Sequence, residues 1–338
     1  MVRKVYSILI ATWSLLVVSA DAEAQLFRFP TANRTLLEED GGAKFFTGTI
    51  GNNWPAGAYG CVRNSGWRLH EGVDIQCLER DKKGEPIDPV MATADGAVVY
   101  INNNSWASAY GVYIVIRHEI ESLAVYSLYA HLRRVESGLR VGQSVEAGQR
   151  IGTLGRSANH PITRKRAHLH FELTLILNDQ YDSWRRKTQR GTKNEHGKFN
   201  GINLAGFDPA DVLLECHAKG RRPFSLLQHL RDMKPLYRAV VRDTSFPWLK
   251  RYPRLIKRNA VAEREGVAGY EILVDFSGFP FLMIPRAESE LKSKAKIQLL
   301  DVDATEYKTG KCRQHVEKKG KGWALTGKGS EFLELLTY

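Results

Sequence analysis

Near the middle of the chain the sequence reads His168-Leu169-His170-Phe171-Glu172-Leu173. Two histidines one residue apart on an extended segment leave the same side of a sheet, roughly 7 Å apart at about 3.3 Å per residue. A strand that carries two imidazoles on one face offers a metal ligand with a free base beside it. Alone, such a pair is ordinarily a satisfied core or surface pair. The upstream stretch His70-Glu71-Gly72-Val73-Asp74 gives it more weight, because it can supply the rest of a zinc site.

The spacing from His70 to Asp74 mimics the helical His-Glu-x-x-His motif of metalloproteases, with Asp in the last place. A helix is the wrong reading here: Gly72 interrupts it, Val73 and Ile75 are β-branched, and no helical apolar period surrounds them. A straight strand also fails, since four residues would hold the two ligands about 13 Å apart. The chain must bend between them, and Gly72 has the freedom to do so. Imidazole nitrogen and carboxylate oxygen bind zinc at about 2.0–2.2 Å, and His170 makes a third ligand. A fourth position left to water is the catalytic arrangement rather than the closed structural one.

Across residues 60–175 the chain resembles the lysostaphin-type (LytM-like) zinc endopeptidases that cut peptide cross-links of peptidoglycan. The ordered pieces are Arg68–Ile75, Pro89–Val99, Tyr110–His118, Leu128–Leu132, Val141–Gly152 and His168–Glu172. Residue by residue, the resemblance implies one zinc per chain held by His70, Asp74 and His170, with His131 and His168 as the two non-ligand histidines of the site. It also implies a mainly antiparallel β-sheet domain of the duplicated hybrid motif type, and peptidoglycan cross-link peptides as substrate. The loop before His168, Arg156 to Ala167, is longer and more basic than the family pattern. That departure bears on substrate preference and leaves the bond that is cut open. In some relatives an asparagine occupies the fourth zinc position; Asn33, Asn52, Asn53 and Asn64 are available for that role. His118 reads as structural, and His160, His196, His217, His229 and His315 as solvated surface. Glu71 reads as an exposed side chain rather than a general base.

Met1-Val2-Arg3-Lys4, an apolar run over residues 7–19 and small-x-small sites ending at Ala24 predict a signal peptide, residues 1–24. The expectation is an exported protein of the periplasm or the extracellular cell wall, with no transmembrane segment in the mature chain. Four cysteines in an exported chain predict disulfides. Of the three possible connectivities, the one favoured joins Cys61 to Cys77, which would brace the bend that presents two ligands, and Cys216 to Cys312, which would tie the domain to the tail. The organisation expected is a lead-in over 25–60, a zinc peptidase domain over 61–215 with an insertion at about 176–206, and a small α+β region over 216–338 of unassigned role. There, Leu226, Leu227, Leu230 and Met233 suggest a short helix, while Glu271–Phe276 and Lys296–Leu300 read as strands.

The formal charge of +12 suits anionic wall polymers. Nucleic acid is the rival partner for such a charge, and the export signal argues against it. Two other functional classes compete with the endopeptidase. A D-Ala-D-Ala carboxypeptidase would space its first His and Asp more widely, and a silent regulator of the same fold ordinarily loses zinc ligands.

Overall fold

In the computed structural model, residues 26–188, 193–218 and 223–338 are described. The expected signal peptide lies outside the described residues. Among them, no helix is long and apolar enough to cross a membrane.

Successive side chains of a strand point to opposite faces. In the strand Tyr113–Ile120 this gives a partly alternating burial pattern, whereas Leu123–Ala130 and His168–Ile176 are buried along their whole length. The first strands are β1 (Gly60–Arg63), β2 (Arg68–His70) and β3 (Val73–Gln76). They are followed by β4 (Pro89–Met91), β5 (Gly96–Asn102), β6 (Tyr113–Ile120), β7 (Leu123–Ala130), β8 (Arg134–Val135), β9 (Ser144–Val145), β10 (Arg150–Thr153), β11 (His168–Ile176) and β12 (Leu204–Phe207). The main sheet has the order β12-β11-β7-β6-β5-β9, and β3 also pairs with β11. All its pairings are antiparallel. The mainly β, antiparallel architecture expected from the sequence is the one observed.

The placement of β11 organises the rest. One edge runs along β7, while the other is divided between two partners: residues 168–171 pair with β3 and residues 173–176 with β12. Leu169, Phe171, Leu173 and Leu175 are fully buried in the core. The alternate residues His168, His170 and Glu172 carry the polar face, also buried, and there the core gives way to the site. The stretch around 176–206 contains the helix Tyr181–Thr188 and then returns to the sheet as β12. The lead-in is fastened beneath β3: Thr47 donates its N–H to Asp74 O, and Phe46 bridges to Ile75.

Beyond residue 223 a second antiparallel sheet forms from β13 (Tyr237–Val241), β14 (Gly269–Val274), β15 (Pro280–Arg286) and β16 (Ile297–Val302), in the order β15-β14-β13-β16. The hairpin β17 (Val316–Lys319) and β18 (Gly322–Leu325) and the helix Gly327–Leu336 follow. The expected helix is present at Leu226–Arg231, with Ser225 accepting from Gln228 N–H as its cap. This α+β region packs on the end of β11. The buried Tyr252 hydroxyl oxygen accepts from the Ile176 N–H, and the Asn178 side chain donates to Leu335 O.

The expected disulfide pairing is overturned. Cys61 is bonded to Cys312, while Cys77 and Cys216 are free. Cys61 and Cys77 bracket the bend in sequence, but Cys61 lies on the β1–β2 hairpin and Cys77 follows β3 into the core, where it is buried. The bridge instead fastens β1 to the far C-terminal region.

Candidate metal centre

His70, Asp74 and His170 come together because of strand register. His170 faces Asp74 across the β11–β3 pair, and His70 ends β2 just before the turn into β3. Their ligand atoms form a small triangle: His70 Nε2 to Asp74 Oδ1 is 3.1 Å, His70 Nε2 to His170 Nδ1 is 3.1 Å, and His170 Nδ1 to Asp74 Oδ1 is 3.0 Å. Ligands at about 2.0–2.1 Å from a tetrahedral zinc stand about 3.3 Å apart, so the triangle fits three corners of such a site. All three residues are buried.

Each member of the triangle is held from behind. His70 Nδ1–H donates to Ala58 O at 2.7 Å, which leaves Nε2 as the lone-pair nitrogen facing the centre. His170 Nε2–H donates to Glu172 Oε1 at 2.8 Å, which leaves Nδ1 facing it. Arg63 donates to Asp74 Oδ2 at 2.6 Å, so Oδ1 is the free oxygen. Partners of this kind fix the tautomer and orientation of metal-binding groups. Glu172 is itself buried and also accepts from the Tyr110 hydroxyl at 2.7 Å.

The electrostatics favour a cation. Burial opposes charge on Asp74, but the neighbouring imidazoles His168 and His70 and the hydrogen bonds it accepts hold its carboxyl well below the usual range. Burial likewise works against a charged His170, yet hydrogen bonds to Asp74 and Glu172 push it up to about 9. A metal ion replaces such a proton when it binds. His70 moves the other way, lowered mainly by burial.

His131 and His168 occupy the side of the triangle open to the cleft. His168 Nδ1–H donates to Arg166 O at 2.6 Å, and its Nε2 lies 3.4 Å from Asp74 Oδ1. His131 Nδ1–H donates to Ser157 O at 2.9 Å. The two rings meet edge to face, centroids 4.8 Å apart. His131 follows the end of β7 with φ at 60°, a left-handed conformation that is uncommon for residues other than glycine and recurs at functional sites. Burial and the nearby His168 and His170 lower its pKa well below the ordinary value.

Gly72 has a different duty from the one expected. Its φ is not left-handed. Instead β11 passes so close that a Cβ at Gly72 would lie 2.3 Å from Phe171 O.

The site opens into a cleft of about 760 Å³ lined by Arg63, Arg68, Arg166, Tyr110, His196 and Arg313, among others. A separate cleft of about 740 Å³, with Asp208, Asp211 and Phe276 in its wall, shares no residue with it. Five surface assignments need correction. His196 is buried in the cleft wall, with Nδ1 2.9 Å from the Tyr100 hydroxyl and Nε2 without a hydrogen-bond partner among the described residues. His315 is buried against Phe332, ring centroids 4.7 Å apart. Glu71 is half-buried, 3.9 Å from Arg313. His217 and His229 are half-buried as well, and His160 is exposed at the cleft rim. His118 is structural, buried between Asp95 O and Ser127 Oγ. Of the four asparagines, Asn33 is fully buried and spends its amide on Lys44 O and Gln76 O, away from a ligand role. Asn52 and Asn64 line the cleft. The group that meets Asp74 Oδ2 is Arg63, a residue the sequence did not single out.

Residues 68–182 match the profile of Peptidase family M23. Lipoprotein NlpD of Yersinia enterocolitica is 32% identical over 93 residues, which are 28% of this chain and 84% of that protein. The chain belongs to peptidase family M23. Murein hydrolase activator NlpD of Escherichia coli K12 is 39% identical to this M23 chain over 104 residues, 31% of the chain and 22% of the relative. The M23 chain thus spans about a fifth of the length of that relative. Among solved structures, the catalytic domain of lysostaphin from Staphylococcus simulans has 22% identity and a TM-score of 0.29, covering 46% of this chain and 86% of that one. A zinc-containing peptidase from Vibrio cholerae has 28% identity and a TM-score of 0.24, covering 31% and 26%.

Proposed function

We propose that this protein is an exported, zinc-dependent endopeptidase that hydrolyses peptide cross-links of bacterial peptidoglycan. One zinc is held by His70, Asp74 and His170, and His131 and His168 handle protons. The observation that supports this most is the set of fixed tautomers. Carbonyl or carboxylate partners take one N–H from each of the four imidazoles and leave the other nitrogen available to the site.

Zinc, when bound, polarises a carbonyl and brings the pKa of a coordinated water down to about 7. The chain's own groups do the rest. Asp74 is held by Arg63 with one oxygen turned inward, and His170 by Glu172, so the ligand set is arranged before the metal arrives. His131 and His168 hold their Nδ1 protons on carbonyls. Their Nε2 atoms are therefore the positions that accept a proton from the attacking water and return it to the departing amine.

The name of the Escherichia coli relative favours a second reading, in which the cleft engages and activates a separate murein hydrolase. Digesting purified peptidoglycan with and without chelator, followed by mass analysis of the new termini, separates the two. Chelator-sensitive conversion of cross-linked dimers into monomers with a free amine supports the peptidase. An intact wall, with stimulation of an added hydrolase, would establish the activator instead. Release of reducing sugar ends with dimers left whole would overturn both.

A further inference from the structure

Three arginines from distant parts of the chain meet in the cleft: Arg63 from β1, Arg166 from the loop before β11, and Arg313 from the C-terminal region. Each is anchored in the same way. Arg63 Nε donates to Ala56 O at 3.3 Å, Arg166 Nε to Gly48 O at 3.1 Å, and Arg313 Nε to Ser277 O at 2.8 Å. Fixing a guanidinium through Nε orients its two terminal amino groups, and a planar fork so held matches a carboxylate with two parallel hydrogen bonds. The conformational entropy of ordering a long side chain has already been met in the free protein, so binding does not have to meet it again.

The charges in the cleft are unbalanced. Asp74 answers Arg63 at 2.6 Å, and Glu71 stands 3.9 Å from Arg313. Among the described residues, Arg166 and the exposed Arg68 have no carboxylate within ion-pair distance. Four cations therefore face two anions in the lining, and a bound zinc adds positive charge. The disulfide explains how the most distant of the three arrives: Cys312, bonded to Cys61 on β1, is the residue before Arg313. The C-terminal region thereby contributes a wall of the site, a task no motif in it announces.

We propose that this cleft selects peptides bearing free carboxylates, with Arg166 and Arg313 as the anchored forks that hold them. This inference rests on the reading of the cleft as a peptide-binding site, and it names the substrate class. Amidation of the same peptide removes the negative charge and replaces an acceptor oxygen with a donor, so the forks lose their partner.

The test measures binding of two probes to the zinc-loaded full chain by calorimetry: a cross-linked peptide dimer with free carboxyl groups, and the same dimer with those groups converted to carboxamides. The free acid is expected to bind at least tenfold more tightly. Arg166→Gln and Arg313→Gln each shrink that ratio towards one, while Arg140→Gln, on the exposed surface, leaves it intact. Arg313→Lys keeps the charge without the fork and reduces the ratio in part, which covers the case in which the Gln variant fails to fold. Equal affinity of the two dimers for the unmodified protein would overturn the proposal, whether or not either is cleaved. A preserved ratio with no cleavage of either dimer would instead remove the peptidase reading and leave the carboxylate selection standing.

Discussion

Asp74 and His170 stand opposite one another on β3 and β11, and their facing atoms, Oδ1 and Nδ1, are 3.0 Å apart. An antiparallel register thus brings two candidate ligands from separate segments to one point, where a helical His-x-x-x-His motif draws two from a single segment. Slipping β3 by one residue along β11 would turn Asp74 to the opposite face from His170.

This register makes Gly72 critical. An added Cβ at Gly72 would lie 2.3 Å from Phe171 O, so β3 or β11 must give way. Gly72→Ala is expected to lower stability by about 1–3 kcal/mol through overpacking and to weaken zinc binding. Thermal melting together with metal analysis checks it; normal melting with full zinc would show that the strands can separate without cost.

Ligands and proton-handling residues are expected to divide cleanly under mutation. His70→Ala and His170→Ala should lose zinc and activity together. His131→Ala and His168→Ala should keep zinc and lose turnover by about 10²–10⁴-fold. Zinc stoichiometry beside cleavage rates reads the division, and full zinc in His170→Ala would take it out of the ligand set.

Behind His170, Glu172 accepts from both the ring and Tyr110. Glu172→Leu is expected to weaken zinc affinity by about 10–100-fold, the usual effect of removing an outer partner. Tyr110→Phe, which leaves the His170–Glu172 contact in place, should have a smaller effect. Competition against a chelator of known affinity measures both.

Stability should depend on pH through buried His118, whose pKa is lowered to about 4 mainly by burial. The folded value lies below the unfolded value of about 6.5, so between these limits the unfolded chain binds the extra proton. Stability from this residue is complete above about pH 6.5 and falls as pH drops towards 4, on the order of 2 kcal/mol by pH 5. Asp208 and Asp275, raised by burial to about 7 and about 6, act in the opposite direction. The difference between wild type and His118→Gln in urea unfolding at pH 7.5 and 5 isolates the histidine; a variant with the same pH slope as wild type would count against it.

Non-reducing peptide mapping should recover Cys61 joined to Cys312 and no bridge at Cys77 or Cys216. Cys216 is also poorly reactive, since burial pushes its thiol up to about 12. Cys312→Ser is expected to cost about 2–5 kcal/mol, as loss of a native bridge commonly does. A Cys61–Cys77 peptide in the map would contradict the arrangement described.

Much of the sheet could be read from residue order alone. The alternation at His168–Leu173 marks a two-faced strand because side chains on a strand repeat every two residues. The bend between His70 and Asp74 followed from the reach of the chain. What stayed hidden depends on segments far apart in sequence. His196 and His315 have no local sign of burial, since Tyr100 and Phe332 cover them only after folding. Gly72 looked like a hinge because nothing local reveals how closely β11 passes. The cysteines misled for the same reason: Cys61 and Cys77 are neighbours in sequence, whereas the sheet sends them to different places.

A protein is made from its N-terminus onward, and the bridge from Cys61 reaches forward across a sequence separation of 251. His70, Asp74, His131, His168 and His170 are all synthesised well before Arg313. A growing chain can therefore carry every metal-site residue while one wall of its cleft does not yet exist. The Cys61–Cys312 bond that fastens this wall needs an oxidising compartment to form. This late-made segment thus acts as a checkpoint, and the cleft takes its full shape only once Arg313 has been made and the bridge beside it has closed.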